Sequence, residues 1–440
     1  MRIAMIGTGY VGLVSGACFS EFGFETTCVD VDSAKIEGLK RGEIPIYEPG
    51  LDALVERNAA EGRLKFTTEL KSAVAEADAV FIAVGTPSRR GDGEADLAYV
   101  FAAAEQIAEA ARNGVVVVIK STVVVGTNRR VKEAIQKARP DLDFSMASNP
   151  EFLREGSAIE DFMRPNRVVV GVEDERAREV MRRLYRPLYL RETPMVVTSL
   201  ENAELIKYAS NAFLAMKVTF INEVADLCEA VGGNVQEVAA ALGLDQRIGS
   251  KFLHAGPGFG GSCFPKDTRA FAATGQNHGA PQQLVEAVIA VNEARKERMA
   301  DRIIAALGGA GAAAGKTVGV LGLAFKPNTD DVREAPSLAI VPRLQAAGIT
   351  VRAHDPEAME QARPLLADVV WCDSALAAAE GADAVVVLTE WNAYRGIDPN
   401  RLAAAMRGRE LIDLRNVFRV EDLAGSGLRL TSIGRRPAEG

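Results

Sequence analysis

Arg2-Ile3-Ala4-Met5-Ile6-Gly7-Thr8-Gly9-Tyr10-Val11-Gly12 opens the chain with a short apolar run feeding a G-x-G-x-x-G turn, and Leu13 to Phe22 can continue as a helix. The turn thus has the strand before it and the helix after it that a dinucleotide-binding fold requires. Its glycines serve the tight turn, the approach of a pyrophosphate and the close packing of helix on strand. Twenty-one residues beyond Gly9, the strand-like Thr26-Thr27-Cys28-Val29 closes on Asp30. A carboxylate there accepts both ribose hydroxyls and repels a 2′-phosphate, so the expected cofactor is NAD rather than NADP. Asp32 lies past the strand end, where it is expected to cap a helix beginning near Ser33.

The apolar runs Ala79 to Val84 and Val115 to Ile119 extend the same parallel sheet, the former ending in Gly85-Thr86-Pro87 where a strand end faces the cofactor. Asn202 to Ala230 keeps apolar residues at helical spacing without Gly or Pro, and Val235 to Leu242 and Gln282 to Ala306 continue in that manner. A helix of that length reads as a spine between domains or a dimer surface. From Lys316 the opening pattern returns. Thr317 to Leu321 ends at Gly322, Thr350 to Ala353 ends at His354-Asp355, and Ala382 to Thr389 echoes Ala77 to Val84. The fold class is therefore α/β, with two Rossmann-like doubly wound parallel sheets joined by a central helical domain with a long spine helix. The expected boundaries are 1–198, 199–306 and 307–440. The second fold has the basic loop Leu323-Ala324-Phe325-Lys326-Pro327 in place of the full glycine fingerprint, which points to a different nucleotide there.

With 440 residues, 48% apolar and 25% charged, the composition is that of a soluble multidomain enzyme. No segment approaches the roughly 18 to 20 uninterrupted apolar residues that span a bilayer, and no cleavage region follows the opening residues, so no membrane partner and a cytoplasmic location are expected. Five cysteines, far apart and without a C-x-x-C pair, argue against a disulfide framework or a thiolate zinc site, and with only three histidines no metal site is expected. A net charge of −8 disfavours nucleic acid. An anionic substrate then needs a local basic pocket. The tail from Arg435 to Gly440 reads as disordered.

One cysteine has unusual company. Gly258-Phe259-Gly260-Gly261-Ser262-Cys263-Phe264-Pro265-Lys266-Asp267 sets a thiol in a glycine-rich turn with a lysine and a carboxylate close behind, the surroundings of a covalent nucleophile. Lys207 and Asn211, four residues apart on the long helical stretch, share a face from which both can donate to a developing oxyanion. The alternative for that pair, taken alone, is a solvated helix face. A thiol, a base and a nicotinamide also describe aldehyde oxidation through a thiohemiacetal and a thioester.

These segments, with Val84-Gly85-Thr86-Pro87, Ser121-Thr122-Val123, Asn149-Pro150-Glu151-Phe152-Leu153 and Asn211 to Ala215, make the chain similar over nearly its whole length to the UDP-glucose 6-dehydrogenases of the UDP-glucose/GDP-mannose dehydrogenase family. The resemblance implies a four-electron oxidation of UDP-glucose to UDP-glucuronate, with two NAD reduced and no free aldehyde released. It implies that Cys263 traps the aldehyde, that Lys207 and Asn211 stabilise the oxyanion, and that Asp267 with Lys207 serves the alcohol step. Glu151, with Thr122 and Asp267, would activate the hydrolytic water; if partly buried, Glu151 should have a raised pKa suited to that task. Cofactor contacts are implied for Gly7, Gly9, Tyr10, Val11, Gly12, Asp30, Lys35, Thr86, Thr122, Glu155, Lys266 and Arg333. Substrate contacts are implied for Glu151, Phe152, Leu153, Lys207, Asn211, Phe252, Leu253, Gly260, Phe325, Lys326 and Arg415, and for Arg247 reaching across a homodimer interface. His254 departs from a lysine found in some relatives.

Two other readings stay open from sequence: a sister enzyme acting on GDP-mannose or an N-acetylated UDP-hexosamine, and a non-catalytic nucleotide-sugar-binding protein. Ser262, Phe264 and Lys266 argue against the N-acetyl-sugar enzymes, and the joint presence of Cys263, Lys207, Asn211, Asp267 and Glu151 argues against a silent binder.

Overall fold

A computed structural model describes residues 1–87, 89 and 95–439. The chain forms two compact units, residues 1–210 with 273–281, and residues 211–272 with 282–440.

The first unit is built on a sheet of eight strands among the described residues. They are β1 (Arg2–Ile6), β2 (Glu25–Val29), β3 (Leu64–Thr67), β4 (Ala79–Ile82), β5 (Val115–Ile119), β6 (Phe144–Ser148), β7 (Val168–Val172) and β8 (Met195–Thr198). Their order is β3-β2-β1-β4-β5-β6-β7-β8. All neighbours run parallel except β6 and β7. Strands β4, β5 and β7 are buried throughout, as near-continuous Val/Ile runs covered on both faces must be. The chain reverses its winding between β1 and β4, the switch point at whose carboxyl end such sheets bind ligands.

The second unit repeats the plan with β9 (Thr317–Leu321), β10 (Thr350–His354), β11 (Val369–Trp371), β12 (Ala384–Val387), β13 (Glu410–Asp413), β14 (Arg429–Ser432) and β15 (Ala438–Glu439), in the order β11-β10-β9-β12-β13-β14-β15. The final strand corrects the reading of a disordered tail. It pairs antiparallel with β14, and Arg435 is fixed by hydrogen bonds to Ser432 Oγ and to the Phe418 carbonyl at 2.7 Å. The basic composition of the tail suggested disorder, but Arg435 finds acceptors and the backbone finds a sheet edge.

The predicted long helix spans Leu200–Val231, with Val235–Leu244, Phe264–Asn277 and Gln283–Ala306 as the other main helices of that region. No helix among the described residues is long and apolar enough to cross a membrane.

Candidate active site and cofactor cradle

In the first unit, Gly7 has φ +101°, and a Cβ there would lie 2.7 Å from the Ala83 carbonyl oxygen. A Cβ on Gly12 would lie 2.0 Å from the Gly7 oxygen, so this glycine brings the helix Tyr10–Glu21 against the turn. Gly9, by contrast, faces open space. Two glycines therefore close the turn and the third leaves room for a ligand at a helix N-terminus, where a pyrophosphate is favoured. Asp30 accepts the Thr8 N–H at 2.9 Å and its hydroxyl at 2.6 Å, the Asp32 N–H at 3.1 Å, and Lys35 Nζ at 3.2 Å. Partial burial pushes this carboxyl up, but those donors outweigh it and hold it below the usual range. An ionised Asp30 suits a ribose diol. Asp32 caps the helix Ser33–Lys40 through the Ala34 and Lys35 N–H groups, as expected. The Tyr10 hydroxyl is bonded to Glu48, a buried carboxylate that also accepts the Gly156 and Ala158 N–H groups at 2.7 Å each. Sequence reading missed Glu48; its signal was an acid in the turn-rich Pro45-Ile46-Tyr47-Glu48-Pro49-Gly50. Thr86 Oγ1 donates to the Thr122 carbonyl at 2.8 Å. Glu155 is half-buried next to Gly156.

Also in this unit, Glu151 and Lys207 form a buried ion pair at 2.8 Å with side chains 5% and 4% exposed. The second oxygen of Glu151 accepts the Leu153 N–H at 2.6 Å. Burial raises this carboxyl, yet the Lys207 ammonium, its hydrogen bond and the Leu153 N–H together bring it below the ordinary carboxylate range. The expected raised pKa is thus corrected: a partner 56 residues away in sequence outweighs desolvation. Phe152 lies under two cations, with Arg167 3.7 Å and Lys207 5.4 Å from its ring centroid.

In the second unit, Cys263 immediately precedes the helix Phe264–Asn277, whose N-terminus favours negative charge. Of the five cysteines it alone is not buried. Asp267, 1% exposed, accepts Asn211 Nδ2 at 2.6 Å and Lys266 Nζ at 2.7 Å. Lys266, expected at the cofactor, is thus held by Asp267. Asn211 is also engaged with a carboxylate rather than standing with Lys207 as a bare donor pair. Gly260 and Gly261 are required by packing: a Cβ on Gly260 would lie 2.4 Å from the Glu334 carbonyl oxygen, and one on Gly261, at φ +83°, would lie 2.6 Å from the Phe325 ring. The Gly261 N–H donates to the Arg333 carbonyl at 2.8 Å, and Asp331 joins the Ser262 N–H at 3.2 Å to the Arg333 guanidinium at 2.8 Å. Gly261→Ala is therefore expected to destabilise the protein by about 2 kcal/mol or more through overpacking and backbone strain, read as a fall in the denaturation midpoint.

The remaining predicted substrate residues also lie in this unit. Phe252 has φ +63° and packs its ring 5.9 Å from that of Phe264, while Leu253 is buried. Lys326 Nζ lies 5.2 Å from the Phe325 ring centroid. Arg415 donates to the Leu388 and Phe325 carbonyls at 2.7 and 2.9 Å and meets Glu390 at 3.2 Å, so it frames the Phe325 loop. Arg247 is exposed and paired with Asp245 in its own loop. The second sheet keeps a likeness of the first turn. Gly322 has φ +94°, and Asp355 at the end of β10 receives the Leu323 N–H as Asp30 receives that of Thr8. Asp355, however, also accepts Ala324, Glu357 and Ala358 N–H groups and the Trp391 indole and is 1% exposed, which leaves no open edge for a ribose. Among the described residues no cluster suits a metal ion.

Residues 1–189 match the UDP-glucose/GDP-mannose dehydrogenase family, NAD binding domain; residues 201–294 match its central domain, and residues 319–420 its UDP binding domain. The chain is 58% identical over 437 residues to the UDP-glucose 6-dehydrogenase of Rhizobium meliloti (strain 1021), covering 99% of this chain and 100% of that protein. It is 47% identical to UDP-glucose 6-dehydrogenase TuaD of Bacillus subtilis (strain 168), covering 100% and 94%. A solved UDP-glucose dehydrogenase from Pyrobaculum islandicum superposes with a TM-score of 0.88 at 42% identity, covering 96% of this chain and 95% of that one. Glycines that close a turn around open space, an ionised Asp30 and these full-length similarities lead to one conclusion: the chain belongs to the UDP-glucose/GDP-mannose dehydrogenase family, and its cofactor is NAD.

Proposed function

We propose that this protein oxidises the primary alcohol of the glucosyl group of UDP-glucose to the carboxylate of UDP-glucuronate. The observation that carries the reading is Cys263, an accessible thiol at a helix start within the Gly260-to-Asp267 segment, in a chain 58% identical to a UDP-glucose 6-dehydrogenase. Gly7, Gly9, Gly12 and Asp30 would hold NAD, which when bound supplies the hydride acceptor for both oxidations. Asp267, held between Asn211 and Lys266, with Lys207 through a water, would accept the alcohol proton. The Cys263 sulfur adds to the aldehyde carbon, and Lys207 and Asn211 donate to the resulting oxyanion. After the second oxidation the carbon is a thioester. Water oriented by Glu151 and Thr122 attacks it, the C–S bond breaks, and the thiolate returns. Lys326, with Phe252, Leu253 and Arg415 shaping the loops, would receive the uridine diphosphate. Purified protein given UDP-glucose and NAD should form two NADH per sugar. A ratio of one, or turnover of GDP-mannose with indifference to UDP-glucose, would overturn this reading.

A homodimer through the long helix belongs to the same proposal. Phe213, Phe220 and Leu227 follow each other at seven-residue spacing on Leu200–Val231 and are 58%, 52% and 61% exposed. Such a stripe of large apolar side chains calls for a partner surface. Phe220→Arg is expected to shift the mass measured by light scattering from dimer to monomer; a wild-type monomer would refute the assembly and the sharing of Arg247.

A further inference from the structure

Lys120 follows the wholly buried strand β5 and is itself 3% exposed. Its ammonium lies 3.2 Å from Asn149 Oδ1 and 3.4 Å from the Tyr185 hydroxyl, with no carboxylate within 4.0 Å among the described residues. Asn149 is held in turn: its Oδ1 accepts the Tyr185 hydroxyl at 2.6 Å, and its Nδ2 donates to the Val169 carbonyl at 2.9 Å. It stands two residues before Glu151, and Lys120 and Glu151 line one pocket of the first unit. Of the other charged groups lining that pocket, Asp161 is paired with Arg154 and Arg167 lies over the Phe152 ring, which leaves Glu151 as the anion for two buried cations, Lys120 and Lys207. A buried ammonium without an ion partner is costly where an apolar side chain of the same length would pack, so the charge itself calls for a use.

We propose that Lys120 is a positioning residue for hydrolysis, a fixed second cation that keeps Glu151 ionised while Lys207 is engaged by the oxyanion. This rests on the function proposed above. In the resting protein Lys207 is the main opponent of the burial that favours a protonated Glu151. Once Lys207 shares its protons with an oxyanion that opposition weakens, and a protonated Glu151 can take no proton from water. Lys120 is tied to Asn149 and Tyr185, and its charge remains. In the step itself, the water oxygen bonds to the thioester carbon, the C–S bond breaks with its electron pair going to sulfur, and Glu151 takes the water proton. No oxidant is needed.

The groups facing Lys120 are Glu151, Lys207, the Cys18 thiol of the helix Tyr10–Glu21, and Tyr185. Burial pushes the Cys18 and Tyr185 protons to higher pKa, so both are neutral near pH 7 and the carboxylate and Lys207 are the charged neighbours. Burial brings Lys120 down to about 8, opposed by Glu151 and reinforced by Lys207. Removing a cation beside a carboxylate raises its pKa, so the acid limb of turnover moves to higher pH.

The test compares pH profiles and pre-steady-state NADH formation for wild type, Lys120→Met, Lys120→Gln and Lys120→Arg with UDP-glucose and NAD. Both neutral variants should shift the acid limb of steady-state kcat up by about one unit, a roughly ten-fold loss on that limb. They should retain the first-turnover burst, accumulate a thioester that hydroxylamine traps, and leave both KM values within about two-fold. Lys120→Arg should restore the limb. If Lys120→Met fails to fold, Lys120→Gln, which retains a donor for Asn149, carries the comparison. An acid limb in a folded neutral variant that coincides with that of active wild type would overturn the proposal alone. Wild type inert to UDP-glucose would overturn it together with the proposed function.

Discussion

Cys263→Ser is expected to lower UDP-glucuronate formation by at least about 10³-fold while leaving NAD affinity within about two-fold. The hydroxyl is a far weaker nucleophile than the thiol, and its conjugate alkoxide is a poorer leaving group when the acyl intermediate must break down. The cofactor cradle is built from Gly7, Gly9, Gly12 and Asp30, none of which the substitution alters. Steady-state NADH formation and calorimetric NAD binding check the two halves of this statement. Undiminished turnover by the serine variant would exclude a thioester route.

Lys207→Met is expected to lose at least about 10²-fold in kcat and, separately, to destabilise the protein by about 3–5 kcal/mol near pH 7. The second effect follows from the 2.8 Å pair with Glu151, whose side chain is 5% exposed and would be left without its partner. The sign with pH is defined. In the wild type Glu151 has a lowered pKa, so its pairing contributes stability above the unfolded carboxylate range, lost as pH falls through the folded value. In the variant, burial dominates and the folded pKa is raised, so the variant is closest to wild type in acid and falls behind as pH rises. Lys207→Met combined with Glu151→Met should recover most of the stability and none of the activity. Thermal melts across pH, with the double variant as control, measure this; a single variant as stable as wild type at neutral pH would contradict it.

The doubly wound sheets were legible because their signals are local. Gly7 to Gly12, Asp30 and the valine-rich β5 each carry their reading within a few residues, and the second fold repeats them at Gly322 and Asp355. The nucleophile was legible for the same reason. What escaped depends on partners distant in sequence. Glu151 looked like a carboxyl with a raised pKa until Lys207, 56 residues on, supplied the charge that reverses the shift. Lys120 gave no sign because Asn149 and Tyr185 reach it across 29 and 65 residues. Nor does the sequence show what closes around Gly260 and Gly261, because the Glu334 carbonyl and the Phe325 ring that meet them lie more than sixty residues on.

Asp355 bears on a problem of traffic. A chain with two similarly wound folds risks trapping an abundant dinucleotide in the wrong one. Asp355 takes five donors from the protein itself and is 1% exposed, whereas the Asp30 side chain takes four and keeps 12% of its surface open, so the second fold closes over its own acid where the first leaves an edge for a ligand. Two dinucleotide-type folds in one chain are thereby kept apart in what they hold by the burial of one carboxylate, without loss of the scaffold.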